Sequence, residues 1–172
     1  MKGLLGKVKA LDISVATLAM LSCLLSVPEI PVWSLFIGWA WYYSLGGHLH
    51  VFKQATPPML AGSILAFVCF ILIDFMSPPL PPLAGTMIAV LITVFSLMMI
   101  LKVPAFAQSL PAFNGYSCVF VGYTAGTYLH IEGMPSMLNA FIWITGVNFP
   151  GLVFGWISLE VEKKVEENFP GL

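Results

Sequence analysis

The chain is short of charge. Its 172 residues include only 7 Lys+Arg and 8 Asp+Glu, or 9%, where a soluble domain carries about 25%. That is too little polar surface to wrap a water-facing globule. Arginine is absent, and a formal net charge of −1 spread along the chain excludes a nucleic-acid footprint. The three cysteines, Cys23, Cys69 and Cys118, stand singly in apolar stretches, which excludes a disulfide framework or a metal site and predicts small buried hydrophobes. Also missing are an acidic pair at helix spacing, a histidine-acid-nucleophile arrangement and a glycine-rich phosphate cradle; His48-x-His50 alone is weak as a metal pair. We therefore expect no enzyme, no metal and no cofactor.

What the sequence has instead is apolar length. Hydrophobic residues make up 59% and mean hydropathy is +0.93, so the lipid bilayer is the expected solvent. Apolar stretches run over Leu11–Val27, Val32–Leu45, Met59–Phe75, Ala84–Leu101, Ala112–Leu129 and Met137–Leu159. Six crossings at roughly 20 residues each use about 120 residues, leaving two tails and tight connections and no room for a second domain. The second stretch is short and the fifth is preceded by Pro104 and Pro111, so both are expected to be tilted, broken or re-entrant. Proline groups at Pro28 and Pro31, Pro57 and Pro58, and Pro78, Pro79, Pro81 and Pro82 read as helix stops. The basic start followed by Leu11–Val27 resembles a secretory signal, but no small-x-small site precedes Pro28, and an uncleaved first helix is expected.

The lysines give the threading. With six spans and a cytoplasmic N-terminus, Lys2, Lys7, Lys9, Lys53, Lys102, Lys163 and Lys164 all fall on the cytoplasmic side, while Glu29, Asp74 and Glu132 lie in the opposite connections. A five-span count would split the lysines between the two faces. The expected fold is thus all-α and polytopic, with six transmembrane helices, N-in and C-in. Residues 1–172 form one transmembrane domain: an N-tail over 1–10, a first three-helix half over 11–83, a second over 84–160 and a C-tail over 161–172.

The two halves echo each other. Phe36-Ile37-Gly38-Trp39 matches Phe120-Val121-Gly122-Tyr123, Leu49-His50 matches Leu129-His130, and Pro58-Met59-Leu60 resembles Pro135-Ser136-Met137-Leu138. Three spans per half is an odd number, so a 3+3 inverted repeat about an axis in the membrane plane is expected. No Lys, Glu or Asp falls at a span centre, which disfavours ion-coupled transport and points to passive passage of a small neutral solute. Its lining candidates are Phe36, Gly38, Trp39, Asn114, Phe120, Gly122, Tyr123 and Thr124, with Asn114-Gly115 at a break in the fifth span and His50 and His130 at the two mouths. The glycine spacings Gly122-xxx-Gly126 and Gly151-xxx-Gly155 equally suit close helix packing, within the chain or in a homo-oligomer. Trp33, Trp41, Tyr42, Tyr43 and Tyr128 read as an aromatic belt, and Asn148 is placed to satisfy a carbonyl released by Pro150.

Phe36-Ile37-Gly38, Gly46-Gly47, Asn114-Gly115, Phe120 to Gly126 and Leu152-Val153-Phe154-Gly155 resemble the YcdZ-like group of small bacterial inner-membrane proteins of unknown function. The resemblance covers most of the chain from the second span onward. It implies a multi-pass protein of the bacterial cytoplasmic membrane and brings no substrate and no functional residue. The function expected from the residues is a channel or facilitator for a small uncharged solute. The alternative is a non-conducting subunit or scaffold that binds a partner through the C-tail.

Overall fold

The computed structural model describes residues 8–77 and 79–168. Those residues form six α-helices and no strand: α1 Ala10–Ser22, α2 Val32–Ser44, α3 Val51–Met76, α4 Pro82–Ile100, α5 Ser109–Ala125 and α6 Ser136–Asn168. Short 3₁₀ turns over Cys23–Ser26 and Pro104–Phe106 extend the end of α1 and link α4 to α5. Three helices, α3, α4 and α6, are long and apolar enough to cross a membrane, with mean hydropathies of 2.4, 2.4 and 1.5. By contrast α2, with 13 residues, is about 20 Å long and α5, with 17, about 25 Å, both short of a hydrocarbon core of about 30 Å.

Local chemistry explains most of the helix ends. The Asp12 carboxylate accepts the Lys9 N–H at 2.8 Å and starts α1. Pro82 is the first residue of α4, where its missing N–H leaves nothing unsatisfied. The fifth stretch ends at Ala125, not Leu129, because Gly126 takes a left-handed conformation (φ 66°) and Thr127 N–H returns to the Gly122 carbonyl at 3.0 Å.

Two expectations about proline need correcting. Pro57 and Pro58 do not stop a helix; they lie inside α3, which starts at Val51, eight residues before the expected Met59. The carbonyls they leave without a helical partner belong to Lys53 and Gln54, in the first turn of α3 and beside an exposed lysine, where solvent can take them. Pro111 sits in the first turn of α5, where proline is tolerated, so the helix runs unbroken through Asn114 and Gly115. No break for Asn114 to line exists, and α2 is continuous as well.

The bundle is built on two parallel helix pairs, α2 with α6 and α3 with α5, which run in opposite directions. At the α2–α6 crossing a Cβ on Gly38 would overlap the Asn148 carbonyl, and one on Gly151 the Leu35 carbonyl. At the α3–α5 crossing Gly115 lies in the same way against the Met59 carbonyl and Gly62 against the Ala112 carbonyl. All four glycines let two backbones touch, as in close helix pairs in lipid. The remaining helices are peripheral: α1 packs antiparallel on α6 and α4 antiparallel on α3. On α4 the inward row is Gly85, Ala89, Thr93 and Leu97, whereas the outward row is Leu83, Met87, Leu91 and Phe95, each more than 60% exposed. Small residues inside and large apolar ones outside reverse the pattern of a water-soluble bundle.

These directions gather Lys9, Lys53, Lys102, Lys163 and Lys164 at one end of the bundle. Glu29, Asp74 and Glu132 are at the other. Lys2 and Lys7 lie outside the described residues.

Candidate functional site

Two regions stand out by chemistry. The first is the interior face of α6 and its contact with α2. Asn139, Thr145, Asn148 and Ser158 are each at most 5% exposed and follow one another down the helix. Ser34, fully buried on α2, donates to the Ile144 carbonyl at 2.7 Å and lies 3.0 Å from Asn148 Oδ1. At the lysine end, Ser158 Oγ lies 2.5 Å from the Tyr43 hydroxyl, and its carbonyl accepts from Ser14 at 3.3 Å. Several of these groups have no protein partner: Asn139 Oδ1, Thr145 Oγ1, Asn148 Nδ2 and the indole N–H groups of Trp39, Trp41 and Trp143. The Asn148 amide N–H₂ therefore does not serve the carbonyl freed by Pro150, and its oxygen lies beside the Ser34 hydroxyl.

Hollows lie near both ends of α2. One of about 400 Å³ is lined by Glu29, Trp33, Tyr128 and His130 among others. The second, about 360 Å³, lies between α1 and Tyr43 at the lysine end, beside Asp12.

The second region is the α3–α5 seam, which is aromatic. Tyr116 stacks on Phe120 (6.1 Å), Phe120 on Phe70 (4.9 Å), Phe70 meets Tyr123 edge-on (4.6 Å), and Tyr123 stacks on Tyr128 (6.4 Å), which meets His130 at 4.4 Å. Its polar groups are paired. The Tyr116 hydroxyl is 2.9 Å from Thr93 Oγ1, and Ser63 donates to the Gly115 carbonyl at 3.3 Å.

The residues singled out from sequence are distributed over both seams. Gly38 and Trp39 are buried in the α2–α6 contact. Gly122 is buried between Ile144 and Trp33, one turn along α6 from where Gly38 meets Asn148. Phe120 and Tyr123 belong to the aromatic ladder. Phe36 is 40% exposed and stacked on Trp39 at 5.9 Å. Thr124 is exposed, its hydroxyl bonded back to the Phe120 and Val121 carbonyls at 3.0 Å, and Asn114 is half-buried. His50 and His130 are exposed at opposite ends of the bundle, His48 and His50 with ring centres 6.2 Å apart.

Other readings change with the packing. Trp41, Tyr42 and Tyr128 are at most 5% exposed, so they are bundle core and not belt. Of the cysteines, Cys69 and Cys118 are buried but Cys23 is exposed. Gly151 and Gly155 are buried against α2 within the one chain. Past the last of these, the exposed end of α6 carries a Lys163–Glu160 pair at 2.9 Å, and that carboxylate raises the Lys163 pKa.

Ser34, Thr145 and Ser158 are residues of this region that sequence reasoning passed over. Each is a single hydroxyl in an apolar stretch, and only helix pairing tells which such hydroxyls turn inward.

A family model described as "Protein of unknown function (DUF1097)" matches residues 12–163. No curated protein and no solved structure matches the chain.

Proposed function

Because this chain belongs to the DUF1097 family, whose function is unknown, its activity has to be argued from its own residues, and we propose that it is a passive facilitator for a small uncharged solute, built as a six-span protein of the cytoplasmic membrane. The observation that carries this is the α2–α6 seam. It is buried, uncharged and polar, it holds the unpartnered Asn148 amide N–H₂ and Trp39 indole N–H, and hollows lie near the two ends of α2, one against the segment after α5 and one against α1. In an apolar surround each unpaired group costs free energy until something small and polar meets it. With no ionisable side chain on the seam between Asp12 and Glu29, there is nothing to couple passage to an ion.

The threading and the inverted repeat belong to the same proposal. Five lysines at one bundle end agree with N-in and C-in, and the YcdZ-like resemblance with a bacterial membrane. What supports a two-fold relation is the glycine geometry. Moving from α2 to α5 takes Leu35 to Ala112 and Gly38 to Gly115, both steps of 77, while moving from α3 to α6 takes Met59 to Asn148 and Gly62 to Gly151, both steps of 89. Under that relation Gly38 corresponds to Gly115, so the matching strings around Gly38 and Gly122, 84 apart, are offset from it by 7 residues, about two helical turns.

Purified protein in liposomes should accelerate uptake or shrinkage with at least one of water, urea, glycerol, ammonia or short organic acids. Gly122→Trp and Asn148→Leu should each remove most of that gain. A flat response across the panel sinks the facilitator and favours a scaffold that works through the exposed end of α6. For the threading, single cysteines at Lys53 and Lys102 in a background without native cysteines should be labelled from the same side of the membrane; labelling from opposite sides ends the six-span count.

A further inference from the structure

The hollow at the end of the bundle away from the lysines has a chemistry that a passage for neutral solutes does not require. It lies where the segment before α2 meets the segment between α5 and α6, and Glu29 supplies its carboxylate, with Trp33, Tyr128 and His130 as its rings. We propose that it binds a small organic ammonium ion, a methylated amine of about the size of choline, with Glu29 as counter-ion and Trp33 as the aromatic wall, backed by the buried Tyr128.

The rings are held before any ligand arrives. The Trp33 indole N–H donates to the Thr127 carbonyl at 3.4 Å, which ties the two segments together, and the far edge of the same ring lies over Gly122, 2.8 Å from where a Cβ would stand. Tyr128 is 5% exposed and fixed between Tyr123 and His130. Fixed aromatic faces attract a cation through the ring quadrupole, tryptophan most strongly, and methylated ammonium groups suit them because they shed water easily. Rings already in place add little ordering cost to binding.

The backbone that carries the carboxylate is unusual as well. Glu29 has φ 61°, the only positive φ at a non-glycine position among the described residues. An L-residue there is strained, and such outliers cluster at ligand sites. The surrounding field has the right sign, since the described charges at this end are Glu29, Asp74 and Glu132 and the lysines are at the other. A volume of about 400 Å³ is within the range of small-molecule sites.

The test uses the full-length protein in detergent, titrated with choline and with 3,3-dimethylbutan-1-ol, which has the same shape without the charge. Choline should bind saturably and the alcohol at least about tenfold more weakly. Glu29→Gln, which leaves every ring in place, should weaken choline by about fivefold or more, and Trp33→Leu by a similar factor. Glu29→Gly separates binding from folding: it relieves the left-handed strain, so its thermal midpoint should equal or exceed that of the parent while choline binding falls as in Glu29→Gln. Equal binding of choline and the alcohol, undiminished binding by Glu29→Gln or Glu29→Gly, or no saturable choline signal each overturns the proposal. Because binding is read without flux, a failure here leaves the facilitator standing, and a flat flux panel leaves this site standing.

Discussion

The α2–α6 and α3–α5 seams are stitched alike and filled differently. Each is a parallel helix pair in which two glycines lie against two carbonyls of the partner helix. Yet the α2–α6 seam keeps the Asn148 amide N–H₂ and the Trp39 indole N–H without partners, whereas the α3–α5 seam is closed by a run of aromatic rings and its Tyr116 and Ser63 hydroxyls are paired. The difference separates two jobs that one helix crossing can do. Glycines set how closely backbones approach, and the residues between them decide whether the contact is sealed or wettable.

The largest effects should come from the stitching itself. Gly62→Ala and Gly151→Ala each drive a methyl onto a backbone carbonyl that cannot move aside, and each should lower stability by about 1–3 kcal/mol, read as a fall in thermal midpoint in lipid or detergent. Gly146→Ala is the control. Nothing lies within 4 Å of that site, and the gain in helix propensity of roughly 0.5–1 kcal/mol should leave it at or above the parent. Losses at Gly62 and Gly151 that differ by more than about twofold would break the equivalence of the two crossings.

A smaller contrast separates the fillings. Ser34→Ala removes the donor to the Ile144 carbonyl and the hydroxyl beside Asn148 Oδ1, where the amide N–H₂ already lacks a partner, and should cost about 1–3 kcal/mol. Ser63→Ala loses a single bond to a carbonyl and should cost about 0.6 kcal/mol, the average for such bonds between membrane helices. Equal costs in an unfolding titration would mean that the polar seam is no more demanding than the aromatic one. The least effect is expected farthest from both seams. Lys163→Gln breaks an exposed ion pair and should leave the unfolding midpoint unchanged, as surface pairs contribute little.

The amino-acid sequence alone determined the apolar character, the helical class and the lopsided lysines, because each follows from composition and spacing: few charges, apolar runs of helical length, and lysines placed so that the five described ones gather at one end of the bundle. It also located the proline-rich turns at Pro28–Pro31 and Pro79–Pro82, where an absent N–H ends or starts a helix. It misjudged Pro57 and Pro58, because whether a proline stops a helix depends on whether its freed carbonyls can find solvent, and that is a matter of depth in the bundle. Only the tertiary structure decided which glycines touch which carbonyls, which of the scattered Ser, Thr and Asn residues face inward, and that Glu29, Trp33, Tyr128 and His130 share a hollow. In a membrane helix the lipid-facing and core-facing sides are both apolar, so periodicity carries little orientation and pairing must supply it.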